Sequence, residues 1–141
     1  MRIARRLREF ERTDLLERRR NRFVSLYVDS AFEDTLLDFL EDKKHEKIKK
    51  KFQMIADMLV CGMPVTKELY GQEMNSFVSK DVYAFKIKIN GNHRIYTKEF
   101  NLESERRIVL IEHRYKKSEV LNKELRELVD RIGAYEYEFQ E

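Results

Sequence analysis

The strongest constraint on the fold lies between Val82 and Tyr96. From Val82 to Ile89 the chain alternates, with Tyr83, Phe85, Ile87 and Ile89 on one face and Lys86 and Lys88 on the other. That period of two marks a half-buried strand. Asn90-Gly91 comes next, and the chain returns as His93-Arg94-Ile95-Tyr96. Asn-Gly between two such runs is the strongest short-range hairpin signal a sequence carries. Turn length then sets the register. A two-residue loop places Arg94 opposite Ile87, on the apolar face. A three-residue loop, Ile89-Asn90-Gly91 with Gly91 left-handed, places Arg94 opposite Lys86 and Ile95 opposite Phe85. A slip of one residue exchanges the two faces, so burial of the apolar set selects the longer loop. Lys86, Lys88, Arg94 and Tyr96 then share a face. Three cations and a phenol on a rigid surface suit a phosphate group, and they equally suit a solvated outer face.

The rest of the chain builds one domain around this hairpin. Its 141 residues suffice for a single core, and 39% charged residues with a net charge of +3 describe a soluble protein whose overall charge is too mild to specify a nucleic-acid partner. A single cysteine, Cys61, excludes an intrachain disulfide and a cysteine-based zinc site, and reads as a buried thiol at a helix end. No His/Asp/Glu spacing suggests a metal, and no cofactor motif is present. No apolar run is long enough for a membrane span, and the Arg-rich start lacks a signal peptide's apolar region, so a cytoplasmic location is expected.

Residues 1–22 carry nine arginines against four acids. Ile3, Leu7 and Phe10 recur at helical spacing, so this segment reads as a basic helical extension that holds RNA, docks a partner or forms a solvated arm. Phe23 to Val28 reads as a strand. Ser30 with Glu33 suggests a capping box for a helix whose buried stripe is Phe32, Leu36, Phe39 and Leu40. A second helix buries Ile48, Phe52, Ile55 and Leu59 and ends at Gly62 and Pro64. Its run of Lys47, Lys49, Lys50 and Lys51 reads as solvent face, and His45 as solvated. Gly71 reads as a turn before the hairpin, and His93 faces the core side. A loop around Asn101 to Arg106 leads into Arg107-Ile108-Val109-Leu110-Ile111, an apolar run typical of a central strand. Ser118 caps a last helix with Leu121, Leu125, Leu128 and Ile132 inward, ended by Gly133. The tail, residues 134–141, alternates Tyr135, Tyr137 and Phe139 with glutamates, as an edge strand or a segment tucked on the core. A strand, two helices, three antiparallel strands and a helix define an α+β fold: a small, mainly antiparallel sheet with an N-terminal helix pair and a C-terminal helix.

This order, with Phe85-Lys86-Ile87-Lys88-Ile89, the returning His93-Arg94-Ile95-Tyr96, and Arg107 to Ile111 followed by a basic cluster and Ser118-Glu119-Val120, resembles the RelE/ParE superfamily of toxins from type II toxin–antitoxin pairs. The likeness spans residues 23–133 and is sharpest to the RelE/HigB-like branch. It implies a RelE-like fold and a ribosome-dependent mRNA endoribonuclease that needs no metal, with a cognate antitoxin protein and mRNA on the ribosome as partners. Carried over, Lys86, Lys88 and Arg94 line the RNA site. The branch's basic run is matched in character by Arg114-Tyr115-Lys116-Lys117, and Leu121 stands where the branch has a tyrosine.

Such enzymes activate the substrate's 2′-hydroxyl against its neighbouring phosphate. Lys86 or Lys88 is the expected base, since neighbouring cations lower a lysine's pKa. Arg94 is the expected clamp on the developing charge, and His113 or Arg114 the acid. Tyr96 or Tyr115 would stack on a splayed base, with Lys116 and Lys117 also contacting RNA. Two other readings use the same fold: a ParE-like gyrase-poisoning toxin, and a non-catalytic RNA- or partner-binding module, which Leu121 favours.

Overall fold

The computed structural model describes residues 4–10, 24–73, 81–116 and 123–139. Most of the basic N-terminal segment, together with Lys117, Ser118 and Leu121, lies outside them. The described chain runs β1 (Leu7–Glu9), β2 (Val24–Asp29), α1 (Glu33–Glu41), a 3₁₀ turn at Lys43–His45, α2 (Glu46–Val60), β3 (Tyr70–Gln72), β4 (Val82–Lys88), β5 (Asn92–Leu102), β6 (Glu105–Tyr115) and α3 (Lys123–Gly133). The six strands form a single mixed sheet in the order β1-β2-β6-β5-β4-β3. The pair β2 and β6 is parallel, and the other pairings are antiparallel. The fold is α+β. Among the described residues no helix is long and apolar enough to cross a membrane.

Each face of the sheet carries its own core. On one, Leu36 and Leu40 of α1 and Ile48, Phe52, Ile55 and Leu59 of α2 meet Leu26, Phe85, Ile87, Ile95, Ile108 and Leu110. On the other, Leu125, Leu128, Val129 and Ile132 of α3 cover Val82, Ala84, Tyr96, Val109 and Ile111. Each fully buried Leu, Ile or Phe contributes about 1.5–3 kcal/mol, so these two apolar layers fix which face every strand residue takes. The stripe expected for α2 is the buried one, as is that of α3 from Leu125 onward. At the end of α2 the Met63 N–H donates to the Met58 carbonyl and the Gly62 N–H to that of Leu59, with Gly62 at φ 71°, a Schellman stop.

Four local expectations fail. The helical spacing around Leu7 gives way to strand, because Leu7 to Glu9 complete a ladder with Tyr27 to Asp29 at the sheet edge, and Phe10 then enters the core. The Ser30 capping box does not form. Helix α1 starts at Glu33 without a side-chain cap, while Asp29 Oδ1 accepts the Ala31 N–H at 2.9 Å and Glu33 pairs with Arg8. Gly71 lies within β3 rather than in a turn. The loop expected near Asn101 to Arg106 is mostly strand. Leu102 pairs with Glu105 across a two-residue turn in which Glu103 and Ser104 take φ of 51° and 66°.

The tail is tucked against the core. Tyr135, Tyr137 and Phe139 pack on the α3 side of the sheet, and Tyr137 bridges to Arg5. Both meet buried Asp29: Arg5 Nε donates to Oδ2 at 2.6 Å, and the Tyr137 hydroxyl donates to the same oxygen at 2.8 Å. Arg5 also lies 4.0 Å over the Tyr135 ring. The two ends of the chain are thus clasped through one carboxylate.

Candidate phosphate-binding face

Strand β4 pairs with β5 in the expected register, with Lys86 opposite Arg94, Phe85 opposite Ile95 and Lys88 opposite Asn92. The loop is Ile89-Asn90-Gly91, with Asn90 at φ 52° and Gly91 at φ 123°. Strand β6 extends the arrangement, because Arg94 pairs with Arg114. Lys86, Arg94 and Arg114 therefore stand in one row across three adjacent strands, spaced about 4.8 Å from strand to strand. A second row beside it holds Lys88 and Asn92, and the Lys116 N–H donates to the Asn92 carbonyl at 2.7 Å. Both rows lie beyond Ala84 and Tyr96 on the α3 side.

Depth differs along the rows. Lys88 and Arg114 are exposed and Lys86 is half-buried. Arg94 is only 3% exposed and Lys116 only 7%. Burial pulls the Lys86 ammonium below the usual lysine range; Arg94 adds to this, as do Lys116 and Lys88, against the attraction of Glu73. The expected direction holds, although desolvation outweighs the neighbouring cations. Space for the ammonium comes from Gly71, where a Cβ would sit 3.3 Å from Lys86 Nζ and 3.1 Å from the Lys67 carbonyl oxygen. Two carboxylates border the rows, Glu73 and Glu112. Glu112 accepts from Arg114 Nε at 2.8 Å.

Arg94, at 3% exposure, lies too deep to clamp a phosphate directly, and three further expected site residues do not serve as expected. His113 points to the opposite side of the sheet, where its ring stacks on Phe39 at 3.6 Å. A β-bulge between Ile95 and Thr97 causes this, placing Ile111 and Glu112 together opposite Tyr96 and shifting the alternation of residues 113–115. Burial and the nearby His93, His45 and Arg114 hold His113 down at about 4, so it is neutral near pH 7 and a poor proton donor. Tyr115 also leaves the cationic face. It pairs with His93, lies against Gly91 and is 53% exposed. Tyr96 shares the face of Arg94 but is 1% exposed beneath α3, with its phenol pushed far above the usual tyrosine range by burial, so it offers no ring to a base. Lys117 lies outside the described residues.

On the far side, all three histidines of the chain meet. His93 Nδ1 and His113 Nε2 are 2.9 Å apart, one ring donating and the other accepting. His45 bonds the Phe39 carbonyl through Nδ1 at 2.7 Å, and its ring is 6.4 Å from that of His93. It is half-buried rather than solvated, and His93 is buried, as its strand parity implied. Among the described residues no group of three or more His, Cys, Asp or Glu is placed to hold a metal ion. Glu73, Glu112, Arg131 and Gly71 were missed by sequence reasoning. Only the pairing of distant strands and the packing of α3 bring them to the rows.

Fold and site together define an α+β protein with a row of cations across the α3 side of a mixed sheet. No protein-family model matches the chain, and no curated protein or solved structure matches it.

Proposed function

We propose that this protein is the toxin of a toxin–antitoxin pair, a cytoplasmic, metal-independent endoribonuclease that cuts mRNA on the ribosome. One observation carries the reading: Lys86, Arg94 and Arg114 stand in register across three strands. Like charges directly opposite one another destabilise a sheet, so such a row is expected where an anion is to be bound. The order of elements from Val24 to Gly133 supports the reading, as do the Lys86-x-Lys88 and His93-Arg94 motifs. The ribosome and the antitoxin enter through that resemblance to RelE-type toxins.

In this mechanism Lys86, its pKa lowered, takes the proton of the 2′-hydroxyl. That oxygen bonds to the adjacent phosphorus and the bond to the 5′-oxygen breaks, leaving a cyclic phosphate. Lys88 and Arg114, both exposed, reach the phosphoryl oxygens, and with His113 displaced Arg114 hydrogen-bonds the departing 5′-oxygen while that oxygen takes its proton from water. Arg94 lies beneath them, where it raises the local potential and disfavours the charged form of Lys86. Its burial also favours a second reading, a phosphate-binding surface without cleavage.

Mapping of mRNA 5′ ends in a translating extract separates the two. Cleavage by the wild type, lowered by Arg94→Ala through the loss of its effect on Lys86 and abolished by Lys86→Ala with Lys88→Ala in variants that stay folded, is expected. A folded wild-type protein that cuts no mRNA in the presence of ribosomes refutes catalysis. If that protein still binds RNA with a steep salt dependence, the binding reading stands instead.

A further inference from the structure

Strand β6 contains one residue more than its ladder with β5 requires. Ile95 pairs with His113 and Thr97 with Leu110, so Ile111 and Glu112 share the single partner Tyr96. Ile111 fills the core under α3. Glu112 emerges on the same face, beside the cation row. Two nitrogens of Arg114 converge on its Oε1, Nε at 2.8 Å and Nη2 at 2.5 Å, while its Oε2 lies 3.5 Å from Arg131 Nη2 on α3. The carboxylate is largely covered, whereas both arginines are exposed.

A bulge forfeits ladder bonds, and a carboxylate beside a phosphate site repels the ligand. Both count against Glu112 unless its contacts serve the site. Those contacts fix the rotation of the Arg114 guanidinium, which is otherwise free at the end of a long side chain, and they tie α3 to the row. A charged fork held by a covered partner is the arrangement that turns an exposed arginine into an oriented donor.

We propose that Glu112 is the positioning residue for Arg114, and that by holding this guanidinium it weakens resting phosphate affinity while orienting the donor for reaction. The proposal rests on the reading of the row as a phosphate site. Its test is a double-mutant cycle of Glu112→Gln and Arg114→Ala with two readouts. The first is binding of a 2′-deoxy oligonucleotide, which has the phosphates but no hydroxyl to activate. The second is the rate of mRNA cleavage in a translating extract. Glu112→Gln should tighten oligonucleotide binding several-fold and slow cleavage roughly tenfold, as loss of an orienting partner does. In the Arg114→Ala background the effect on cleavage should vanish. Arg131→Ala, which removes only the outer contact, should slow cleavage in the same way by less, and this arm serves if Glu112→Gln fails to fold.

Equal slowing of cleavage in both backgrounds would overturn the proposal, as would weaker oligonucleotide binding by Glu112→Gln. A wild type that binds the oligonucleotide but cuts nothing would fail the ribonuclease reading alone, and the binding arm of the cycle would still decide the role of Glu112. A wild type that binds no oligonucleotide would sink both.

Discussion

Replacing Lys86 by methionine should make the protein more stable and less active at once. Lys86 faces Arg94 directly across β4 and β5, and Lys116 and Lys88 also push its ammonium toward the neutral form. Like charges opposite one another on a sheet cost about 0.2–1 kcal/mol, and solvent exposure keeps the cost toward the lower end. Methionine keeps the length and flexibility of the lysine stem, so the half-buried methylenes remain packed while the charge is removed. The loss of attraction to Glu73 offsets only part of the gain, since the net pull on Lys86 is toward the neutral form. Urea unfolding of Lys86→Met should therefore show a gain of about 0.5 kcal/mol, and up to about 1 kcal/mol at low salt, where screening is weakest. Melting should rise by about 2–4 °C per kcal/mol gained. The gain should shrink in 1 M salt, where the Debye length is about 3 Å. Cleavage should fall by roughly 10²-fold or more, the share of a positioned general base. A variant that loses more than about 1 kcal/mol and still cuts mRNA would rule out a base at Lys86, because a lysine placed by packing alone behaves that way.

Acid should loosen the histidine cluster. Because His113 is held at about 4 against an ordinary value of 6.5, the unfolded chain binds more protons between those values. Stability is then full above about pH 6.5 and is lost as the pH falls toward 4, by about 1–2 kcal/mol after discounting for partial exposure. Urea titrations of wild type and His113→Phe should diverge below pH 6 in this sense, and parallel pH dependences would count against it. Gly91→Ala should destabilise by about 1–3 kcal/mol in thermal unfolding, since φ is 123° and a Cβ would collide with the Tyr115 ring; a neutral effect would contradict the described turn. Tyr137→Phe removes the donor to buried Asp29 and should cost about 1.5–3 kcal/mol, with melting temperature as the readout and an unchanged value as the contrary result. Deleting residues 1–20 removes Arg5, strand β1 and Phe10, so loss of cooperative unfolding is expected rather than weakened RNA binding alone, and circular dichroism on heating decides it.

Whatever one local period and one strong turn signal could settle was legible in the chain before any long-range contact. Alternation from Tyr83 to Ile89, with Asn90-Gly91 as the only low-strain turn, left one register that buries Phe85, Ile87 and Ile95, and so set Arg94 against Lys86. The stripes of α2 and of α3 from Leu125 onward were legible for the same reason, since a face that must be buried is written in spacing. Spacing misled where a partner strand competed: Leu7 and Phe10 fit a helix, yet the free edge of β2 supplied a ladder that a short helix could not match. The turn at Glu103-Ser104 has no Gly or Asn to announce it. The site's final composition depends on long-range pairing and packing. The bulge at Ile111 and Glu112 depends on how β6 meets β5, and it sends Arg114 toward Lys86 while His113 goes to the far side. His45, His93 and His113, distant in the chain, meet because α1, α2 and the sheet pack together, and Glu112 reaches Arg131 because α3 covers the opposite face. Local periodicity specifies which face a residue takes within its own segment, whereas meetings between segments are set by long-range pairing and burial, which no short window of sequence contains.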